Sequence, residues 1–323
     1  MPCLSCLKEN IDGYCLKCRK ELFGGIKISP QLTFNSPYSV DNQVYNTHTQ
    51  HISISGVQIK YSLKLVEGQL QLTDEGGEYI LKPIPTGTFQ QLDQAPANEH
   101  LTMQLARQVY GLNVPPNAIV YFTDNTPAYL VKRFDRKADG TKCLQEDFAQ
   151  IAQMTSESHG ENYKYDLSYQ EMAELIKRYI PAYPIALEAF FRMILFNYLF
   201  SNGDAHVKNF SAIRSEMGDY QLTPAYDLLC TKLHSPSESD LALNLLAEGY
   251  PQKFLEVGFH TYNDFMEFGV LIGILPRRME KILGEYRLEK NKVKSLLDNS
   301  LLSSEAQLTF YNYYKDKLGR LNL

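Results

Sequence analysis

A long apolar helix running straight into a polar loop constrains this chain most. PIALEAFFRMILFNYLF, residues 184–200, is followed at once by NGDAHVKNFS, residues 202–211. Pro184 takes the favoured first helical position, and apolar residues cover most faces, so the helix must lie inside protein. The loop leaving it is therefore anchored, and it gathers Asp204, His206, Lys208 and Asn209 within a few residues. Taken singly, these are ordinary: an Asp beside glycine is usually a turn residue, and a lone His is usually a satisfied group. The conjunction D-x-H-x-x-N followed by Asp227 in YQLTPAYDLL, after a short strand, is much rarer.

Phosphoryl transfer asks for a carboxylate near the attacking hydroxyl and for oxygen ligands that hold Mg²⁺ against the phosphates. The loop supplies Asp204 as the base and Asn209 as a metal ligand, with Asp227 as the second metal carboxylate. The rest of the chain has the matching layout. HISISGVQIKYSLKLVEG and QLQLTDEGGEYILKPIP alternate polar and apolar residues and read as strands, the first pair joined across Gly56. A helix is expected over about 98–110, with Leu101, Leu105 and Val109 on one face and Gly111 ending it. AIVYF and AYLVKRF follow as two strands separated by the turn DNTP. From about residue 144 the pattern becomes helical: 168–180 has Ser168 as N-cap with Glu171 completing a capping box, and further helices are expected near 261–273, 275–298 and 303–320. A small β lobe followed by a larger helical lobe is the layout of a two-lobed, α+β, protein-kinase-like fold.

The β lobe should then carry a phosphate-covering turn and a lysine. SISGVQIK, residues 53–60, offers one such turn, although a single glycine is a weak signal and an ordinary hairpin explains it equally. Lys82 in YILKPIP sits on a strand among apolar neighbours, where a charge needs a partner, and Glu99 at the start of the next helix is the natural one. Snorkelling at a strand end is the plain alternative for Lys82. Lys132, Arg133 and Phe134 fall where the chain crosses between lobes, with backbone groups placed to read adenine and a ring placed to stack on it.

Before the β lobe stand Cys3, Cys6, Cys15 and Cys18, spaced C-x2-C-x8-C-x2-C, the spacing of a closed tetrahedral zinc site. Such an ion would hold a fold and do no chemistry. Two disulfides are the alternative, but MPCLSCLKEN has no apolar export signal, and thiols of a cytoplasmic protein stay reduced. Cys143 and Cys230 are isolated and read as small buried hydrophobes. The expected division is a zinc-ribbon-like module at 1–25, an extended linker at 26–50, a β-rich lobe at 51–140 and a helical lobe at 141–323. The net charge of −5 gives no electrostatic footprint for nucleic acid over the whole chain, and Arg192 and Asn197 interrupt the longest apolar run, so no membrane span is expected.

The motifs ISISGVQIK, YILKP, NEHLTMQLARQVYGLNVP, LVKRFDR, QEDFAQ, NGDAHVKNFS and LTPAYDLL, in this order over about residues 50–245, resemble the HipA family of bacterial serine/threonine-protein kinases. The resemblance implies an ATP- and Mg²⁺-dependent kinase acting as the toxin of a toxin–antitoxin pair, in a family that phosphorylates aminoacyl-tRNA synthetases and causes growth arrest or persistence. It implies that Asp204 accepts the proton, that Asn209 and Asp227 hold Mg²⁺, and that Ser55, Gly56, Val57, Gln58, Ile59 and Lys60 cover the phosphates. By the same resemblance Lys82 contacts the phosphates, Lys132, Arg133 and Phe134 form the adenine hinge, and His206 and Tyr226 lie beside the nucleotide. Ser53 matches the family's autophosphorylated serine, and Ser55 is a second candidate; a phosphate on that loop would repel the nucleotide.

The chain also departs from the family pattern. It has only the cysteine module and linker where larger members carry an N-terminal subdomain, so a small separate protein is expected as partner, besides a helix-turn-helix antitoxin that would make the DNA contacts. Lys132 stands where longer members have an acidic residue. A small-molecule phosphotransferase of the aminoglycoside type shares the G-D-x-H-x-x-N loop, and an inactive pseudokinase binding a partner through the cysteine module is the non-enzyme alternative.

Overall fold

In a computed structural model of the chain, residues 1–37, 59–137 and 139–323 are described. The turn bearing Ser53, Ser55, Gly56, Val57 and Gln58, with the strand expected before it, lies outside them. A short helix α1 (Leu16–Phe23) precedes β1 (Tyr61–Val66), β2 (Gln69–Leu72), β3 (Tyr79–Lys82), helix α2 (Ala95–Gln108), β4 (Asn117–Tyr121) and β5 (Pro127–Lys132). The strands form one antiparallel sheet in the order β2-β1-β3-β5-β4. Alternation selects its faces, as Tyr61 and Leu63 of β1 are buried while Lys64 is exposed.

Backbone from the N-terminal segment closes the outer edge of β4. Ile119 N–H donates to the Leu4 carbonyl at 2.8 Å, Tyr121 N–H to the Pro30 carbonyl at 2.9 Å, and Leu32 N–H to the Tyr121 carbonyl at 2.7 Å. Residues 26–37, expected as a plain linker, therefore pack on the sheet and bury Ile28 and Leu32, because an uncovered strand edge leaves its amide groups unpaired. Leu4, Tyr14, Leu22 and Phe23 join the same core as Leu63, Leu81, Val120 and Leu130.

Helix α2 starts at Ala95, three residues earlier than expected, with Pro96 tolerated in its first turn, and ends at Gln108. It is buried on every side from Ala95 to Ala106. Its polar residues are accordingly bonded. Asn98 Nδ2 donates to the Cys230 carbonyl (2.9 Å) and its Oδ1 accepts from Cys230 N–H (3.0 Å), while Gln104 Nε2 donates to Asn117 Oδ1 (2.8 Å). His100 Nε2 lies 2.8 Å from the Ser5 carbonyl. Leu101, Met103 and Leu105 pack with the helical lobe, so α2 joins the two halves.

The second half contains β6 (Gln145–Asp147), α3 (Phe148–Ile151), α4 (Ser156–His159), α5 (Tyr169–Tyr179), α6 (Tyr183–Leu199), β7 (Ser211–Arg214) and β8 (Tyr220–Leu222). It ends in α7 (Gln252–Val257), α8 (Tyr262–Leu271), α9 (Pro276–Tyr286), α10 (Asn291–Asp298) and α11 (Ser304–Leu321). The short strand expected before Asp227 is β8, but the mainly helical reading of this half missed β6, which pairs with β7 in a sheet ordered β6-β7-β8. Ser168 caps α5 reciprocally with Glu171, as its sequence indicates. Helix α6 is the buried centre, with Phe190, Phe191, Ile194, Leu195 and Phe196 fully inaccessible. The single helix expected over 275–298 is two helices. At the break, Lys290 lies 4.3 Å over the Tyr110 ring and donates to the Val109 carbonyl (3.3 Å), and Lys292 donates to the Gln108 carbonyl (3.0 Å). Two ammonium groups thus satisfy the carbonyl end of α2. No helix among the described residues is long and apolar enough to cross a membrane.

Candidate active site

A cleft of about 380 Å³ runs between the β lobe and the helical lobe, walled by Lys82, Tyr129, Phe134, Lys208, Tyr226 and Asp227 among others. Lys82 ends the central strand β3 and is almost wholly buried. Its Nζ donates to Glu99 Oε1 at 2.6 Å and forms a direct ion pair with Asp227 Oδ1. Burial opposes the charge on Lys82, yet Asp227 and Glu99 outweigh it and its pKa is raised. Burial likewise pushes Asp227 up, but Lys60 and Lys82 prevail and hold its carboxyl well below the usual range. Glu99 goes the other way: burial raises it despite Lys82. Lys60 stands 3.7 Å from Asp227 Oδ2. A metal bound by Asp227 would replace one or both lysine contacts.

Asp227 has φ of 54°, in the left-handed region where Asp is among the tolerated residues. The loop after α6 is held on several sides. Gly203 N–H donates to Thr231 Oγ1 (2.8 Å), Tyr169 OH to the Ala205 carbonyl (2.9 Å), and Asn202 Nδ2 to Asn197 Oδ1 (3.0 Å). A Cβ on Gly203 would sit 2.3 Å from the Ser239 carbonyl oxygen, so only glycine fits there. Asp204 is partly exposed and, with His206 and Asn209, stands outside the cleft lining. Its Oδ1 accepts from Tyr165 OH at 2.5 Å, with Lys164 Nζ at 3.8 Å and His206 Nε2 at 3.9 Å. Burial holds the His206 imidazole down to about 4, against the pull of Asp204, so the ring is neutral near pH 7. Asn209 Oδ1 accepts from His206 N–H at 3.1 Å, which fixes the turn at 207–209.

The expected hinge is only partly available. Lys132 N–H donates to the Pro116 carbonyl and Arg133 N–H to the Glu78 carbonyl, both at 2.8 Å, so other backbone groups would have to read an adenine. Arg133 forks onto Asp135 (2.8 and 2.6 Å), and Lys132 Nζ reaches the Glu21 carbonyl (3.3 Å). Phe134 packs against the Tyr226 ring at 5.9 Å, and Tyr226 OH is fixed by Lys208 O (2.9 Å) and Ser211 Oγ (2.5 Å). Aromatic rings and a lysine-bearing acidic cluster therefore line the same cleft. Ile59, also assigned to the phosphate turn, packs against the core of the sheet. Lys164 and Tyr165 escaped the sequence reading, because ENYKYD has no periodicity and lies far from NGDAHVKN in the chain.

The sequence profile of the family "HipA-like C-terminal domain" matches residues 52–292. The chain belongs to the HipA-like family. A protein of Haemophilus influenzae carrying the name "Putative kinase" is 28% identical over 98% of the chain and 95% of its own length. "Putative kinase Y4dM" of Sinorhizobium fredii is 30% identical over 70% of the chain, and the serine/threonine-protein kinase toxin HipA of Shewanella oneidensis is 28% identical over 66%. The chain spans about half the length of these last two relatives, 56% and 51%. Among solved structures, the Shewanella oneidensis HipA, HipB and operator DNA complex matches with a TM-score of 0.62 at 23% identity, over 83% of the chain and 64% of the matched one. The Helicobacter pylori proinflammatory kinase CtkA matches with a TM-score of 0.55 at 15% identity, over 90% and 95%. The HipA-like family and the kinase-like fold are thereby shown.

Away from the cleft, the ligand atoms of Cys3, Cys6, Cys15 and Cys18 lie within 4.8 Å of one another, and all four thiols are free. Cys6 and Cys15 sulfurs are 3.8 Å apart, too far for a disulfide and close to the roughly 3.8 Å between sulfurs that a tetrahedral ion with ~2.3 Å bonds requires. Hydrogen bonds from Cys18 and Cys6 hold the Cys3 thiol below its ordinary value, while the bonds to Cys3 and Cys6 push Cys18 up.

Proposed function

We propose that the chain is an ATP- and Mg²⁺-dependent protein kinase of the HipA type that phosphorylates serine or threonine. The observation that carries the reading is Lys82, held between Glu99 of α2 and Asp227 at the mouth of the helical lobe. Lysine on the third strand paired with a helix glutamate is the pairing that sets phosphates in kinases. Asp227 and Asn209 would hold Mg²⁺, which would offset the charge of the phosphates. Asp204 takes the proton of the acceptor hydroxyl, Lys82 holds the phosphates with the turn ending at Lys60, and Phe134 and Tyr226 flank the base. His206 supports the nucleotide side of the loop.

The toxin role, an aminoacyl-tRNA synthetase as substrate, a helix-turn-helix antitoxin, a small separate N-subdomain protein and a cytoplasmic location belong to the same proposal. The Shewanella oneidensis HipA complex contains HipB and operator DNA, which supports the antitoxin; DNA contact only through that antitoxin is part of the proposal. The module at 1–25 is proposed to bind one structural Zn²⁺ through Cys3, Cys6, Cys15 and Cys18. Autophosphorylation is proposed on Ser53 or Ser55. Intact mass and peptide mapping after incubation with Mg²⁺-ATP test the reading: one or more phosphates on that loop, absent in Asp204→Ala, are expected. No phosphate on the protein or on added synthetases, with transfer only to small hydroxylated compounds, would overturn it.

A further inference from the structure

We propose that Lys164 is a further catalytic residue of the transfer centre, its ammonium meeting the phosphoryl group in flight, and that Tyr165 is a positioning residue for Asp204. The inference rests on the kinase reading and adds two residues that none of the loop motifs contains.

Both residues lie in the helical turn Tyr163–Tyr165, which packs against the turn Val207–Asn209 of the catalytic loop. Tyr165 donates to Asp204 Oδ1 at 2.5 Å and sets its ring edge-on to His206, centroids 5.5 Å apart at 73°. A carboxylate fixed through one oxygen keeps the other for an incoming hydroxyl proton. Burial, with Asp204 second, raises the Tyr165 phenol well above its ordinary value, so it stays a donor.

Lys164 is the more telling of the two. Its side chain is 14% exposed, and its Nζ, shut off from solvent, has no hydrogen-bond partner among the described residues. Asp204 Oδ1 at 3.8 Å is beyond direct hydrogen bonding, and the Tyr165 ring lies 4.7 Å below the ammonium. A buried ammonium with three unmet donors is costly unless something else arrives to accept from them. Lys82, by contrast, is bonded directly to both Glu99 and Asp227. Burial lowers the Lys164 pKa against the pull of Asp204.

Next to the proton acceptor is where the charge passes. The acceptor oxygen forms its bond to the γ-phosphorus as the bond to the bridging oxygen breaks. The proton goes to Asp204, and ADP leaves with the electron pair. Negative charge on the equatorial oxygens is stabilised by fixed donors already aimed at them. Lys164 is such a donor, beside the proton acceptor.

The variants are Lys164→Met, Lys164→Arg and Tyr165→Phe in the full chain, with calorimetry of Mg²⁺-ADP in the presence and absence of aluminium fluoride, which mimics the planar phosphoryl group. In Lys164→Met we expect ADP affinity within about twofold of wild type, analogue affinity down by about tenfold or more, and kcat for phosphoryl transfer down on the order of 10²-fold at unchanged KM for ATP. Lys164→Arg should recover most of both losses. Tyr165→Phe should lower kcat by about tenfold and leave analogue and ADP affinities alone, since it acts through Asp204. Wild-type analogue affinity and kcat in Lys164→Met would overturn the proposal. Equal loss of ADP and analogue binding with a lowered melting temperature would overturn it too, by making the role structural. Wild-type protein that binds no Mg²⁺-ADP would instead remove the kinase reading, and this role with it.

Discussion

Lys82 and Asp227 form an ion pair across the mouth of the cleft, and Glu99 closes the lysine from behind at 2.6 Å. One ammonium thereby ties the central strand of the β lobe to α2 and to the loop that follows β8. Because Glu99 is 3% exposed, it has almost no water to fall back on. Lys82→Met should therefore strand a buried carboxylate and cost about 3 kcal/mol in urea unfolding. Adding Glu99→Gln should return part of the loss. A single variant as stable as wild type would show that the pair carries no stability.

Asp227→Asn should leave the backbone intact, since Asn accepts positive φ about as readily as Asp. It removes the charge that a magnesium ion needs. Calorimetry should show Mg²⁺-dependent ATP binding abolished, while circular dichroism stays unchanged. Normal Mg²⁺-ATP affinity in this variant would take Asp227 out of the metal site.

Zinc removal should be felt beyond the cysteine module. Ser5 Oγ donates to the Asn117 carbonyl (2.7 Å), its own carbonyl meets His100, and Gln108 Nε2 donates to the Cys6 carbonyl (2.9 Å). The cysteine turn thus supports β4 and the helix that carries Glu99. Metal analysis should find about one zinc per chain, and chelation or Cys3→Ser should lower the melting temperature of the whole β lobe. Metal-free protein as purified, with unchanged melting, would defeat the zinc assignment.

Gly203→Ala tests the packing of the catalytic loop. The added methyl meets a backbone oxygen, Ser239 O, that cannot swing aside as a side chain would. The loop should shift, with destabilisation of about 2 kcal/mol and loss of most transfer activity. Retained activity with unchanged unfolding would mean that the segment around Ser239 moves freely.

Asp240 is the anchor of the C-terminal helix. It accepts from Lys232 (2.6 Å), Lys317 (2.5 Å) and Arg320 (2.7 Å), and Lys317 is 1% exposed. Asp240→Ala should cost roughly 3 kcal/mol by leaving Lys317 poorly paired. Burial works against the Asp240 carboxylate, but the bonds from Lys232 and Lys317 hold its pKa down to about 2, below the ordinary 3.8. A depressed native value means that the contribution is complete above about pH 4 and fades as pH falls through 2. Acid unfolding of wild type should steepen in that window, and the slope should flatten in the variant.

Local rules account for much of what was legible in the residues themselves. The Ser168 and Glu171 box starts α5, Pro184 starts α6, and strand alternation places Tyr61 and Leu63 inward, because each depends on neighbours a few residues away. The pairing of Lys82 with Glu99 was also readable, since a buried strand lysine needs a carboxylate and the next helix offers one. The break between α9 and α10 was not readable. At it, Lys290 reaches the end of α2, a contact across 181 residues.

The order of the motifs and the spacing of the four cysteines are properties of the sequence alone, and they were enough to indicate a two-lobed, HipA-like chain with a cysteine module. Tertiary structure alone decided that Asp227, 145 residues from Lys82, shares its ammonium with Glu99, that the cysteine turn braces β4 and α2, and that Lys164 and Tyr165 stand over Asp204. The reason is physical: hydrogen bonds within a turn or helix are set by adjacent residues, whereas an ion pair between lobes exists only once both cores have packed and excluded the water that would otherwise screen it.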